Sequence, residues 1–251
     1  MLVTEILAGA FLGFLIAALG GGGGLLAVPI LVFGFREPVA KATGTSLAIV
    51  LAASLAAVPG HWRRRTIHVN AALRFGGASM LGAFAGARLH QFVSEPVALT
   101  AYAVLLFAVS LRMFARGAKA TNEARNFWRT LLVLGLGVGL LAGFLGVGGG
   151  VLIVPALLYG TGVTLSEAIG TSVAIIAMTS LSGTISHMLQ GNVTVRIALG
   201  MGAGAMLGAV LGTPLSGRLP EKPVRISFAT LVFLAAAYTL WRAHAVPQFP
   251  P

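Results

Sequence analysis

The sequence predicts an all-α polytopic membrane protein made of two inverted repeats, each with a broken or re-entrant helix at a Gly-rich motif. Three observations predict it. Of 251 residues, 57% are hydrophobic and 9% charged, with no aspartate and a mean hydropathy of +0.93, whereas about a quarter of the residues of a soluble domain are charged. The chain aligns on itself when shifted by 126 residues. Eleven of its seventeen Lys and Arg fall in three short clusters between apolar runs, the pattern of cytoplasmic loops.

The composition also excludes. Without cysteine there are no disulfides or thiolate sites, and five scattered His with six Glu give no ligand spacing such as HExxH. No catalytic residue, metal or cofactor is expected. The net charge of +11 is divided among loops instead of lying along one soluble face, so nucleic acid is not an expected partner. The N-terminus carries Glu5 where a signal peptide has basic residues, and its first apolar run recurs later, so it reads as retained.

Long apolar segments run over residues 3–19, 39–58, 69–92, 97–114, 130–145, 165–189, 195–215 and 224–241. Most approach the ~20 residues that a spanning helix needs. Residues 25–35 and 151–159 are too short: at about 1.5 Å per residue they rise about half of the ~30 Å hydrocarbon core, and they read as half-membrane arms.

The 126-residue shift aligns residues 9–95 with their second copy without a gap, more than a third of the positions being identical. Gly22, Gly23, Gly24 and Pro29 fall on Gly148, Gly149, Gly150 and Pro155; Gly44, Thr45 and Ser46 on Gly170, Thr171 and Ser172; His61 on His187. The organisation is a first membrane repeat over residues 1–115, a cytoplasmic linker over 116–129, a second repeat over 130–245 and a tail over 246–251. The basic clusters at residues 63–65, 112–129 and 218–225 should share the cytoplasmic face. That parity requires a short arm and its preceding helix to count together as two crossings or none, and a re-entrant hairpin is the preferred form, since irregular backbone at depth survives only inside protein or beside water. The equivalent loops 63–68 and 189–194 then lie on opposite faces, the repeats are inverted and both termini face outward.

The two Gly-rich stretches interrupt apolar sequence just before the short arms. Glycine admits positive φ, which turns successive N–H groups toward one point, and the arm that follows offers a positively polarised helix N-terminus. Such a point attracts an anion, which makes Gly22, Gly23, Gly24, Gly148, Gly149 and Gly150 candidate substrate-binding residues; close packing or a hinge is the alternative. Pro29 and Pro155, lacking an N–H, can kink the arms. A phosphate loop is excluded because Leu25 and Leu26 stand where Lys and a hydroxyl are required. Thr45, Ser46, Thr171 and Ser172 are candidates to donate to the same anion, or else bond back to their own helices.

The duplicated Gly-Gly-Gly-x4-Pro and Gly-Thr-Ser motifs, spaced as they are here, resemble the TauE/SafE family of bacterial membrane proteins, the sulfite exporter family, over essentially the whole chain. The resemblance implies a multi-span inner-membrane transporter of small anions such as sulfite and organosulfonates, and of other small organic acids in some members. Gly21 departs from the second copy, which has Val147.

Other positions are less specific. His61 and His187, at equivalent helix ends, are candidates to sense or relay protons, with an interfacial position as the alternative. Lys41 aligns with Glu167, so a cation and a carboxylate occupy matching places: one a candidate to attract the anion, the other to carry a coupling proton, or both simply interfacial. Arg74 and Arg88 read as snorkelling side chains. Gly200, Gly204, Gly208 and Gly212, with Gly82 and Gly86 in the other copy, make smooth faces for helix packing. Trp62, Trp128 and Trp241 fall at segment ends as interface anchors.

The expectation is a secondary transporter that exports a small oxyanion, sulfite or an organosulfonate, through a midplane site between the repeats by alternating access. The alternatives are an anion channel and an exporter of another small organic acid. An intramembrane enzyme lacks apposed acids, a Cys or a His cluster. The expected partners are the anion and the lipid bilayer of the inner membrane, with homo-oligomerisation left open.

Overall fold

The computed structural model describes residues 2–114, 127–161, 163–216, 218 and 221–245, and all its regular secondary structure is helical. The first repeat holds α1 (Leu2–Leu19), a short α2 (Gly24–Pro29) that continues as a π-helical turn (Ile30–Gly34), α3 (Val39–Arg63), α4 (Val69–His90) and α5 (Glu95–Phe114). The second holds α6 (Phe127–Leu145), α7 (Gly150–Thr161), α8 (Leu165–Leu189), α9 (Val195–Gly212) with a 3-10 turn (Thr213–Leu215), and α10 (Glu221–Ala245). Residues 127–129 of the expected linker form the first turn of α6; the rest of it, and the tail over 246–251, lie outside the described residues.

Among the described residues four helices are long and apolar enough to cross a membrane: Leu2–Leu19, Val39–Arg63, Leu165–Leu189 and the stretch Val195–Leu215. This is fewer than the eight segments expected. α4 has the length, but Asn70, Arg74, Arg88 and His90 dilute its apolar character, and the apolar described parts of α5, α6 and α10 are shorter, at Glu95–Leu111, Leu131–Leu145 and Val232–Trp241. The outer surface is nevertheless a belt of large apolar side chains, among them Leu7, Phe11, Leu81, Val133, Leu199 and Leu211, as a bilayer requires. Trp62 and Trp241 are exposed near helix ends.

The short arms match the expected half-membrane lengths. Pro29 closes α2: a ring nitrogen without hydrogen cannot continue the i to i−4 ladder, and the chain passes into the wider π turn. α7 runs α-helically through position 155.

α3 and α8 are the most buried spans and form the centre. Gly44 on α3 packs on His187 of α8 and Leu47 packs on Gly183, so the two run antiparallel. Ser182 and Ser186 of α8, with Gln190 just past its end, donate to the carbonyls of Met80, Phe84 and Ala87, which sets α4 parallel to α8. Ala52 and Gly60 of α3 meet Gly202 and Thr213, which sets α9 and its following turn parallel to α3.

The outer pairs follow from glycine. A methyl added at Gly9 or Gly13 of α1 would strike the carbonyls of Met201 or Ala205, and one at Gly204 or Gly208 of α9 would strike those of Ile6 or Ala10. The backbones thus touch along a small-residue seam, with van der Waals contact and little side-chain entropy to lose. The same seam joins α6 to α4, with Gly135 on Phe75, Gly139 on Ser79, Gly82 on Leu136 and Gly86 on Leu140. α1, α3 and α9 therefore run one way and α4, α6 and α8 the other, each opposite to its counterpart 126 residues away.

One end of the bundle gathers Arg63, Arg64 and Arg65, where Arg64 Nη1 donates to Thr213 O at 2.9 Å. At the other end Thr194 Oγ1 donates to Glu37 Oε2 at 2.6 Å, and Arg196 Nη1 pairs with the fully buried Glu5 at 2.7 Å.

Candidate functional site

α1 stops at Leu19 and α6 at Leu145 because the next residues turn left-handed: Gly20 has φ +74 and Gly21 φ +110 in one copy, and Gly146 φ +75, Gly148 φ +69 and Gly149 φ +76 in the other. Residues with a Cβ are strained there. The two turns cross. A Cβ at Gly150 would strike Gly21 Cα, and one at Gly24 would strike the Val147 carbonyl oxygen. They lie against Val50 of α3 and Ile176 and Ser180 of α8, midway along both central helices, and the short arms leave from this point.

The Gly-Thr-Ser triplets hold the crossing together. Ser46 Oγ lies 2.6 Å from Gly146 O and 2.8 Å from Thr43 O, and it donates to this pair; Ser172 Oγ lies 3.0 Å from Gly20 O and 2.8 Å from Ile169 O. Thr45 Oγ1 accepts the Thr194 N–H at 2.9 Å, and Thr171 Oγ1 accepts the His68 N–H at 2.9 Å, so each threonine holds the residue that opens a helix in the other repeat. Gly44 rests on the Asn192 carbonyl and Gly170 on Thr66. Every contact has its mate 126 residues away. Each triplet is a three-point clasp on the opposite repeat, and the bonds span as many as 152 residues. All four hydroxyl residues are buried, and their known partners are protein groups.

None of the neighbours nearest the turn glycines is charged. In so apolar a setting the positive potential comes from backbone N–H groups and helix N-termini.

His61 and His187 are buried within the protein near the C-terminal ends of α3 and α8. His187 Nε2–H donates to Gly143 O at 2.9 Å, and His61 Nδ1 lies 3.2 Å from Thr66 Oγ1. Because α3 and α8 are antiparallel, the two rings sit at opposite ends of the central pair. Lys41 is exposed on the first turn of α3. Glu167 is engaged in a capping box: its Oε2 accepts the Thr164 N–H at 2.8 Å, while Thr164 Oγ1 accepts the Glu167 N–H. Its other oxygen lies 3.2 Å from His68 Nε2. The site thus unites the glycines and hydroxyls, and leaves Lys41, His61, Glu167 and His187 toward the helix ends. No group of three or more metal-ligating side chains occurs among the described residues.

Several polar residues escaped sequence reasoning. Ser54 and Ser180 are both fully buried and match each other under the 126-residue shift, a signal that the alignment contained. His90 donates from Nδ1 to Phe144 O at 2.8 Å, its ring 5.7 Å from that of His187. No local pattern in the sequence pairs Glu5 with Arg196.

The sulfite exporter TauE/SafE family matches residues 5–239. A probable membrane transporter protein of Xylella fastidiosa (strain Temecula1 / ATCC 700964) is 30% identical over 254 residues, covering 97% of each chain. The probable membrane transporter protein YdhB of Bacillus subtilis (strain 168) is 27% identical over 90% of this chain and 93% of its own. Another from Methanocaldococcus jannaschii is 26% identical over 96% of each. No solved structure matches the chain.

Proposed function

The chain belongs to the sulfite exporter TauE/SafE family of membrane transporters, and on that premise we propose that it exports a small oxyanion, sulfite or an organosulfonate, across a bacterial inner membrane by alternating access. One observation carries the reading: two glycine turns, one from each repeat, cross midway along the central helices and are clasped reciprocally by Gly-Thr-Ser triplets. Broken helices at the midplane are how secondary transporters present helix ends to charged substrates. The opposed directions of matching helices support inverted repeats, and the arginines gathered at one end support a cytoplasmic assignment for that end. Both termini would then lie outside.

Electrostatics suits release as well as binding. N–H dipoles and hydroxyls hold an anion without a buried Arg, whose desolvation would be costly. The clasp is a natural moving part, because rocking one repeat against the other must break Ser46–Gly146 or Ser172–Gly20 on one side.

Efflux from proteoliposomes loaded in turn with sulfite, sulfoacetate, lactate or chloride, with and without a pH gradient, tests this. Saturable, selective efflux of sulfite is expected, with sulfoacetate, a dianion, as the probe of how much charge the site accepts. Flux no greater than that of protein-free vesicles, from folded protein, would overturn the proposal.

A further inference from the structure

The two glycine turns do not offer the same chemistry. In the first copy the turn is partly closed: Gly21 N–H donates to Ile16 O at 2.9 Å and Gly24 N–H to Gly21 O at 3.2 Å, so that among its glycines the N–H groups of Gly22 and Gly23 are left without an acceptor among the described residues. α2 runs without a break into its π-helical turn, so the first arm extends over Gly24–Gly34 and the two copies differ in their turns, not in the helices that follow. In the second copy the N–H groups of Val147, Gly148, Gly149 and Gly150 have no hydrogen-bond acceptor among the described residues, and Gly146 N–H takes Ala142 O in their place. Consecutive free N–H groups around left-handed glycines form an anion-binding concavity, and α7, with twelve residues, begins there.

An independent observation points to the same place. Ser180 of α8 is fully buried, its hydroxyl has no hydrogen-bond partner, and its Oγ lies 3.4 Å from where a Cβ on Gly148 would stand. Its counterpart Ser54 is also fully buried, but its hydroxyl donates to Leu51 O at 3.0 Å. A buried hydroxyl without a partner is costly and demands a reason. Ser180 alone of the two serines holds its proton ready, and it does so at the turn whose N–H groups are free.

We propose that the anion binds at the second turn only, held by the N–H groups of residues 147–150 and the Ser180 hydroxyl, and that the substrate is a small singly charged oxyanion. This rests on the transport reading above and names the site within it. The charge limit follows from the walls: Val50, Val138, Ala142, Ile153 and Ile176 surround Gly148 and Gly149, with no cation among them. Neutral donors in such a setting compensate one negative charge far better than two.

The test uses the full-length protein in nanodiscs, with methanesulfonate, sulfite and sulfate as probes, read by calorimetric binding, by the rise in Tm on adding anion, and by proteoliposome efflux. Wild type should bind methanesulfonate and resist sulfate. Ser180→Ala should keep the anion-free Tm, because the lost hydroxyl had no partner, yet bind about tenfold or more weakly, as for a hydrogen bond to a charged acceptor. Ser180→Thr, which restores a hydroxyl, should recover most of the affinity. Ser54→Ala should bind within about twofold of wild type, since that hydroxyl is already engaged. Equal losses in Ser54→Ala and Ser180→Ala, or none in Ser180→Ala while wild type binds, would overturn this site and leave the transport reading standing. Sulfate binding as tight as that of methanesulfonate would overturn the charge limit. A wild type that neither binds nor moves any of the three would bring down the transport reading and this inference together.

Discussion

The turn at residues 20–24 and the turn at 146–150 start from nearly the same letters and reach different local structures. The first has two left-handed glycines and engages the N–H groups of Gly21 and Gly24; the second has three and leaves the matching N–H groups of Val147 and Gly150 open. The single difference within the run is Gly21 against Val147. Gly21 sits at φ +110, while Val147, which has no positive φ, hands the left-handed bend to Gly148 and Gly149. Duplication supplied two equal scaffolds. The placement of one β-branched residue is where they part, and the contacts outside the turns stay matched, from the seams of small residues to the two clasps.

The strongest way to break this comparison is to impose the second copy's residue on the first. Gly21→Val puts a branched side chain at φ +110, with its Cβ against Ile176 and Gly150, and should cost on the order of 3 kcal/mol or more. No monodisperse protein is expected from that variant, whereas Val147→Gly should yield a folded one. Size-exclusion profiles of the two decide it, and a well-folded Gly21→Val would mean that the turns are interchangeable after all.

Next in size are the clasps. Ser46→Ala and Ser172→Ala each leave a buried carbonyl of the opposite turn short of a donor, at a cost of about 1–3 kcal/mol apiece. Thermal unfolding should show similar losses, that of Ser46→Ala no smaller, its bond being 2.6 Å against 3.0 Å. A large loss in one and none in the other would end the reciprocity.

The smallest effect concerns the entries to α3 and α8. Thr164 caps α8 and Pro38 stands in its place before α3, with no side-chain cap. Thr164→Ala should cost about 1 kcal/mol, and Pro38→Ala should show no loss of a cap, both read as shifts in Tm. This explains the pairing of Lys41 with Glu167: the carboxylate completes a box with Thr164, and a carboxylate at position 41 would find no hydroxyl at position 38.

Much of the fold was legible because repetition is a one-dimensional signal. The 126-residue shift, the interrupted apolar runs and the arm lengths were in the string, and the arms at 24–34 and 150–161 fall close to the expected 25–35 and 151–159. Thr164-x-x-Glu167 before an apolar run is equally readable as a cap. The clasps were not readable. That Ser46 reaches Gly146 across 100 residues depends on which helix faces touch, and in a membrane nearly every face is apolar. Ser180 resembles its neighbours Thr179 and Ser182 in sequence; only the packing shows that these two have partners in α4 and that Ser180 has none.

The reciprocal clasp bears on the order in which the molecule is made. As the N-terminal half leaves the ribosome, Ser46 is already in its helix while the carbonyl it will grip, at Gly146, has yet to be synthesised, and Gly20 waits in the same way for Ser172. Neither half can be finished by itself. The early half must be stored in the bilayer with its turn and hydroxyls unmatched until the late half arrives, and completion is then a single event for both. Two fragments divided between residues 114 and 127 and produced together carry every contact of the clasp and have what they need to find each other.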